Sequence, residues 1–305
     1  MRLTNRIESL RWTWRLRKLP PCKCDWPMED RIKGAMLLYT KKMGYHYDYS
    51  HPVLFTEKLQ SYRLQYDRPD FPDVVDKYLF KSYIEKKLGP GYTIPLYGAW
   101  ETIDGLREAW DSLPNELVLK STLQSDGKFI KIIRDKSSVN LDSLLEEVKQ
   151  WLDPKRTLIN SYCKAYYRAT PRILAEEYME QVDNQLYDYK FFCFDGAPHC
   201  VYVATDHFPG QLSHISFYDL DWKRRDVRYG EHPNCEVDRP RHFDEMLRLA
   251  KVLSAGFPFV RVDFFDVGDR LYVAELTMYP GAGQTPYHPE SFNRELGDLF
   301  HLPKE

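Results

Sequence analysis

The chain has 305 residues, 43% of them hydrophobic, with a formal charge of −2, so it carries enough apolar material for a core in one large domain or two to three lobes. A charge so close to neutral gives no global field to draw nucleic acid, and no nucleic-acid partner is expected. No apolar run is long enough for a signal peptide or a membrane span.

The first 18 residues are basic and include Leu10, Trp12, Trp14 and Leu16. They read either as a basic amphipathic helix that touches a membrane surface or a partner enzyme such as a glycosyltransferase, or as a solvated arm that packs back on the domain. The expected location is cytoplasmic, with peripheral contact at the inner membrane as the alternative that this arm leaves open. Cys22 and Cys24 are one residue apart and no second close pair follows them. That spacing completes neither a disulfide framework nor a zinc site, and thiols in a reducing compartment are the economical expectation. Nine histidines lie scattered without metal-ligand spacing.

Further along, Val75, Tyr78, Leu79 and Tyr83 recur at helical spacing over 74–88, and Gly89-Pro90 ends the run. An extended stretch over 92–96 and a helix over 104–113 follow. From 116 the pattern becomes strand 116–121, loop 124–127 and strand 128–134. Asn140 is a candidate N-cap for a helix over 141–152, whose Leu141, Leu144, Leu145 and Val148 share a face. Residues 172–179 read as a strand running into a polar turn, and 187–194 with 199–204 as a hairpin around Asp195-Gly196. An amphipathic helix over 243–255 then leads to strands 259–265 and 270–277.

Alternation along 259–265 places Arg261 and Asp263 on one face of their strand, while Glu275 and Thr277 share a face of the next. Carboxylates on neighbouring strands suit Mg²⁺, which prefers carboxylate and phosphate oxygens. An adjacent arginine would face the anions gathered there. The bland alternative is a cross-strand ion pair on an exposed sheet. A shared metal requires an odd hairpin loop such as Val267-Gly268-Asp269, or a one-residue bulge. The register expected on this basis sets Asp263 opposite Val273 and Arg261 opposite Glu275.

The order of elements resembles the ATP-grasp superfamily. Asp76-Lys77 is similar to its early Asp-Lys element, and Leu117-Val-Leu-Lys120 to the strand whose lysine meets nucleotide phosphates. Residues 173–179, Ile-Leu-Ala-Glu-Glu-Tyr-Met, resemble the adenine hinge, and Asp188-Tyr-Lys190 the ribose and phosphate element. Arg261-Val-Asp263, Glu275-Leu-Thr277 and Pro280-Gly281 resemble the Arg-x-Asp, Glu-x-Asn, Pro-Gly ending, with Thr277 where most members carry Asn. From about Pro52 onward the combination looks like the TupA-like branch.

The resemblance implies an α/β (α+β) ATP-grasp fold, with two α+β subdomains clasping ATP behind a smaller N-terminal lobe. The expected divisions are a basic arm 1–35, a lobe 36–115, a small subdomain 116–178 and a C-terminal subdomain 179–305 with the metal site. It further implies an ATP- and Mg²⁺-dependent carboxylate–amine ligase working through an acyl phosphate, with a sugar acid and a small amine as substrates, in capsular or cell-wall polysaccharide synthesis. Lys77, Lys120, Ser125, Lys128, Glu176, Glu177, Tyr178, Met179, Asp188 and Lys190 would bind ATP. Asp263, Glu275 and Thr277 would bind the metal, and Arg261 and Lys190 would serve catalysis. The alternatives are a kinase of the same fold acting on a glycan hydroxyl, and a non-catalytic nucleotide-binding scaffold.

Overall fold

A computed structural model describes residues 15–16, 18–123, 129–153, 162–179, 186–205 and 211–303. Ser125, Lys128, Trp12 and Trp14 lie outside the described residues. Among the described residues, no helix is long and apolar enough to cross a membrane.

The fold is a mixed α/β arrangement built on two antiparallel sheets. Helices α1 (Met28–Met43), α2 (Phe55–Gln65), α3 (Phe71–Val75) and α4 (Lys77–Leu88) come first. The single helix expected over 74–88 is divided, because Asp76 takes an extended conformation (φ −82°, ψ 115°) and turns its carboxylate back as the N-cap of α4.

The smaller sheet has the order β1 (Leu96–Trp100), β4 (Ile173–Glu176), β2 (Leu117–Ser121) and β3 (Ile130–Ile133). Helices α5 (Ile103–Ala109) and α6 (Leu141–Lys149) bury Leu106, Leu144, Leu145 and Val148 against Leu117, Leu119, Ile173 and Ala175. The Asn140 cap holds, its side chain accepting from the Ser143 N–H at 2.9 Å. β1 begins where the predicted extended stretch ends; the Pro95 carbonyl just before it receives the Glu177 N–H.

The larger sheet is built from β5 (Asp188–Phe194), β6 (Ala197–Thr205), β7 (His214–Tyr218), β8 (Arg224–Arg225), β10 (Phe259–Val267) and β11 (Arg270–Thr277), in the order β11-β10-β5-β6-β7-β8. One face, with Phe191, Val260, Val262 and Phe264, shares a core with Phe243, Met246, Leu249 and Leu253 of α7 (Phe243–Ser254). On the other face Phe192, Phe194 and Phe259 meet Phe55 of α2. β9 (Arg228–Tyr229) and β12 (Tyr287–His288) form a two-stranded sheet, and α8 (Glu290–Leu299) ends the described fold.

Two expectations are corrected here. Cys22 and Cys24 are joined as a disulfide, with Cα atoms 5.3 Å apart, in place of free thiols. The β10–β11 hairpin has a two-residue turn, Val267 pairing with Arg270, and it reaches a shared face through a bulge at Ala274. Asp263 therefore lies opposite Glu275, and Arg261 opposite Thr277, two residues along β11 from the predicted register. The bulged segment keeps its backbone satisfied, since the Val273 N–H donates to the Tyr92 carbonyl at 2.7 Å.

Candidate functional site

Register places one polar row across four strands. Glu275 of β11 faces Asp263 of β10, which faces Lys190 of β5, which faces Tyr202 of β6. The adjoining row carries Thr277, Arg261 and Phe192, so polarity gives way to the aromatic core within one residue step.

Asp263 is 1% exposed and heavily engaged. Arg261 donates from Nε to Oδ1 at 2.7 Å and from Nη2 to Oδ2 at 2.6 Å, and the Lys190 Nζ donates to Oδ2 at 2.6 Å. Arg261 also donates to the Tyr202 hydroxyl and to the Thr277 Oγ1, both at 3.1 Å. Lys190 pairs in addition with Asp188, whose other oxygen, Oδ1, is buried without a hydrogen-bond partner.

The titration behaviour follows from this crowding. Burial disfavours the Lys190 ammonium, yet Asp188 and Asp263 outweigh it and raise the pKa above the ordinary lysine value. Burial pushes Asp263 toward its neutral form, but Arg261 and Lys190 prevail and hold it below the usual carboxylate range. Asp188 goes the other way. Burial raises its pKa, Lys190 opposes this, and the neighbouring Asp263 charge adds to the rise.

A second basic group stands on α4 and β2. The Lys120 ammonium of β2 pairs with Oε1 of Glu176, and Lys81 of α4 reaches Oε2 of the same carboxylate at 3.1 Å. Glu176 is 4% exposed, and although burial opposes its ionisation the two lysines keep its pKa lowered. Lys77 opens α4, its N–H donating to the Thr122 carbonyl at 3.2 Å. Burial lowers its pKa, with Glu275 opposing and Lys120 adding to the fall. Lys77 thus lies within electrostatic range of both basic groups and links them.

The predicted residues therefore fall into two neighbouring sets: Lys190, Asp188, Arg261, Asp263, Glu275 and Thr277 on the larger sheet, and Lys77, Lys120 and Glu176 around α4 and the smaller sheet. Glu177, Tyr178 and Met179 follow β4 as a half-buried segment, with Arg134 over the Tyr178 ring at 4.2 Å. Sequence reasoning missed Lys81 and Tyr202. Lys81 was signalled by its i+4 spacing from Lys77 on one helix. Tyr202 was signalled only by strand pairing, which periodicity alone does not supply. It also missed Arg172, which donates to the wholly buried Asp76 at 2.9 Å and so ties β4 to the start of α4.

The donor set suits a hard cation. Asp263, Glu275 and Thr277 offer carboxylate and hydroxyl oxygens, and a carboxylate has about four lone-pair sites. Arg261 and Lys190 use two on Asp263 Oδ2 and one on Oδ1, which leaves a position on Oδ1 on the row shared with Glu275. The tighter cluster of ligand atoms among the described residues, Cys22, Cys24 and Asp25, has its two sulfurs committed to the disulfide.

A family model described as TupA-like ATPgrasp matches residues 57–301. Comparison with curated proteins gives no match. Among solved structures, the chain is similar to D-alanine–D-alanine ligase from Bacillus anthracis, at 18% identity and a TM-score of 0.40 over 67% of this chain and 56% of that one. It is also similar to D-alanine–D-alanine ligase from Helicobacter pylori, at 13% identity and a TM-score of 0.43 over 75% and 61%. D-cycloserine synthetase DcsG gives 18% identity and a TM-score of 0.39 over 75% and 71%. The match thus spans little more than half the length of the first of these ligases.

Proposed function

The chain belongs to the TupA-like ATP-grasp family, whose model covers residues 57–301, and from that premise we propose that it is an ATP-dependent carboxylate–amine ligase. The observation that carries this reading is the row Glu275, Asp263, Lys190, with Arg261 beside it and Lys77 within electrostatic range of Glu275. It gathers oxygen ligands and fixed cations on one face of a sheet. Phosphoryl transfer asks a protein mainly for positioning and charge neutralisation, which is what such a row supplies.

In the proposed reaction an oxygen of the substrate carboxylate attacks the γ-phosphorus of ATP, and the bond from that phosphorus to the ADP oxygen breaks, leaving an acyl phosphate. The amine nitrogen then attacks the acyl carbon, the carbon–oxygen bond to phosphate breaks, and the nitrogen gives up a proton. Lys77, Lys120 and Lys190 are assigned to phosphate oxygens. Asp263 and Glu275, with Thr277, would hold Mg²⁺, which neutralises phosphate charge when bound. Arg261 keeps its charge at every accessible pH, and its place beside Asp263 suits it to stabilise the oxyanion formed during amine attack. Glu176, through Lys120 and Lys81, fixes the strand that runs into the proposed adenine-binding segment 176–179. We assign Asp188 to the ribose.

The substrates we favour are a sugar acid and a small amine, in assembly of a bacterial cell-surface polysaccharide. Incubating the protein with ATP, Mg²⁺ and a panel of uronic-acid glycosides and amines, followed by mass spectrometry, tests this. An amide product with ADP is expected. A phosphate ester would indicate a kinase, and nucleotide binding without turnover a scaffold.

A further inference from the structure

Arg63, on α2, is 2% exposed, and its Nε and Nη2 are buried without a hydrogen-bond partner. Those two nitrogens form the side-on edge of the guanidinium, the fork that matches a planar carboxylate. At four other arginines that edge is filled. Arg15 gives it to Asp30, Arg68 to Asp70, Arg248 to Glu245 and Arg261 to Asp263. Arg63 is more deeply buried than any of these, and burying such a group unpaired is costly.

Its surroundings add positive charge. The Lys23 ammonium sits 4.3 Å from the centre of the Tyr162 ring and the Arg63 guanidinium 5.6 Å from it. Arg31 stands 6.0 Å from the centre of the Tyr167 ring, and its own Nε is buried without a partner. Arg63 acts electrostatically on Lys23, Tyr47, Tyr162 and Tyr167. Gly34 of α1 makes room for the Tyr162 hydroxyl, which a Cβ there would strike, so the ring is held in place. Lys23 and Arg31 are half-buried.

The position relates this cluster to the proposed site. Tyr162 lies against Arg63, while Tyr166, four residues on, is influenced by Glu275 and Arg261. Four residues span at most about 14 Å even when extended. We propose that Arg63, with Arg31 and Lys23, forms a carboxylate-binding subsite that takes a second, non-reacting acid group of the acceptor substrate. As a substrate subsite it rests on the ligase reading; as a carboxylate site it stands on the unfilled fork alone.

The test uses the full chain without nucleotide, with free D-glucuronate as probe and D-glucose and inorganic phosphate as controls, read by thermal shift and by the fluorescence of Trp26, whose ring is 6.3 Å from that of Tyr162. Glucuronate should raise the Tm in a saturable way and glucose should not. Arg63→Met should abolish the response without lowering the ligand-free Tm, because it removes a buried unpaired charge. Arg63→Lys, which keeps a charge but loses the fork, should lose most of the response. Absence of a glucuronate response in the wild type, a response to phosphate alone, or an undiminished glucuronate response in Arg63→Met overturns the proposal. In turnover, Arg63→Met should raise the acceptor KM at least about tenfold with kcat little changed. Amide formation with an unchanged KM would remove the subsite and leave the ligase reading intact. Arg63-dependent glucuronate binding without any amide product would do the reverse.

Discussion

Asp263 and Glu275 lie directly opposite each other on β10 and β11, but their electrostatic circumstances differ. Asp263 is buried and neutralises Arg261 and Lys190, whereas Glu275 is half-buried at the edge strand of the sheet. Removing either charge should abolish metal-dependent turnover, but only one removal should unsettle the fold. Glu275→Gln should lower ADP formation by about a hundredfold or more while Tm stays within a few degrees of wild type. Asp263→Asn should in addition cost on the order of 3 kcal/mol, because it strands two buried cations. Chemical denaturation alongside a coupled ADP assay measures both. Near-normal turnover in Glu275→Gln would remove the metal assignment.

Lys120 and Lys81 share the Glu176 carboxylate, so loss of Lys120 leaves Glu176 with one cation. Lys120→Ala should fold and should raise the KM for ATP about tenfold or more, with a smaller effect on the acceptor. Initial rates at varied ATP and varied acceptor separate the two, and an effect confined to the acceptor would take Lys120 away from the nucleotide.

Asp76 accepts from the N–H groups of Tyr78 at 2.8 Å and Leu79 at 3.3 Å and from Arg172 at 2.9 Å, all while fully buried. Asp76→Ala loses the cap and one of the two carboxylate partners of Arg172, Glu101 remaining at 2.8 Å, for a cost of about 2 kcal/mol. Asp76→Asn keeps a cap acceptor and should cost less. Urea midpoints rank the two, and equal losses would show that the cap contributes nothing beyond the ion pair.

What the sequence made legible follows from what periodicity can see. The strands carrying Asp263 and Glu275 were readable because alternating apolar residues mark a half-buried strand. Their register was not, because it depends on the bulge at Ala274, and that bulge is satisfied by the Tyr92 carbonyl from a distant part of the chain. α2 escaped notice for a different reason. Thr56, Glu57, Gln60, Ser61 and Arg63 are buried along with its apolar residues, so no polar face marks it. The same burial hides the environment of Arg63 from any reading of sequence alone. The proposed metal and phosphate residues were accessible through the order of motifs. Arg172 and Tyr202 join them only through three-dimensional pairing.

Glu295 of α8 receives the His199 Nε2 at 2.8 Å and both terminal nitrogens of Arg225 at 2.7 and 2.6 Å, which fastens the last described helix to β6 and β8. Hydrogen bonds from Arg225, opposed by partial burial and reinforced by His199, hold its pKa at about 2 against an ordinary value of 4.5. A carboxylate depressed in the folded state contributes stability that is fully present above its unfolded pKa and is lost as pH falls through the folded one. The window is therefore pH 4.5 down to about 2. The side chain is 35% exposed, so screening reduces the contribution to roughly 1 to 2 kcal/mol. Glu295→Gln should be less stable than wild type by that amount at pH 6, and the gap should narrow steadily as pH falls from 4.5 toward 2. Urea denaturation at pH 6, 4 and 3 measures it. A gap that stays constant across those values would show that the ionised form of Glu295 gains nothing from Arg225 and His199.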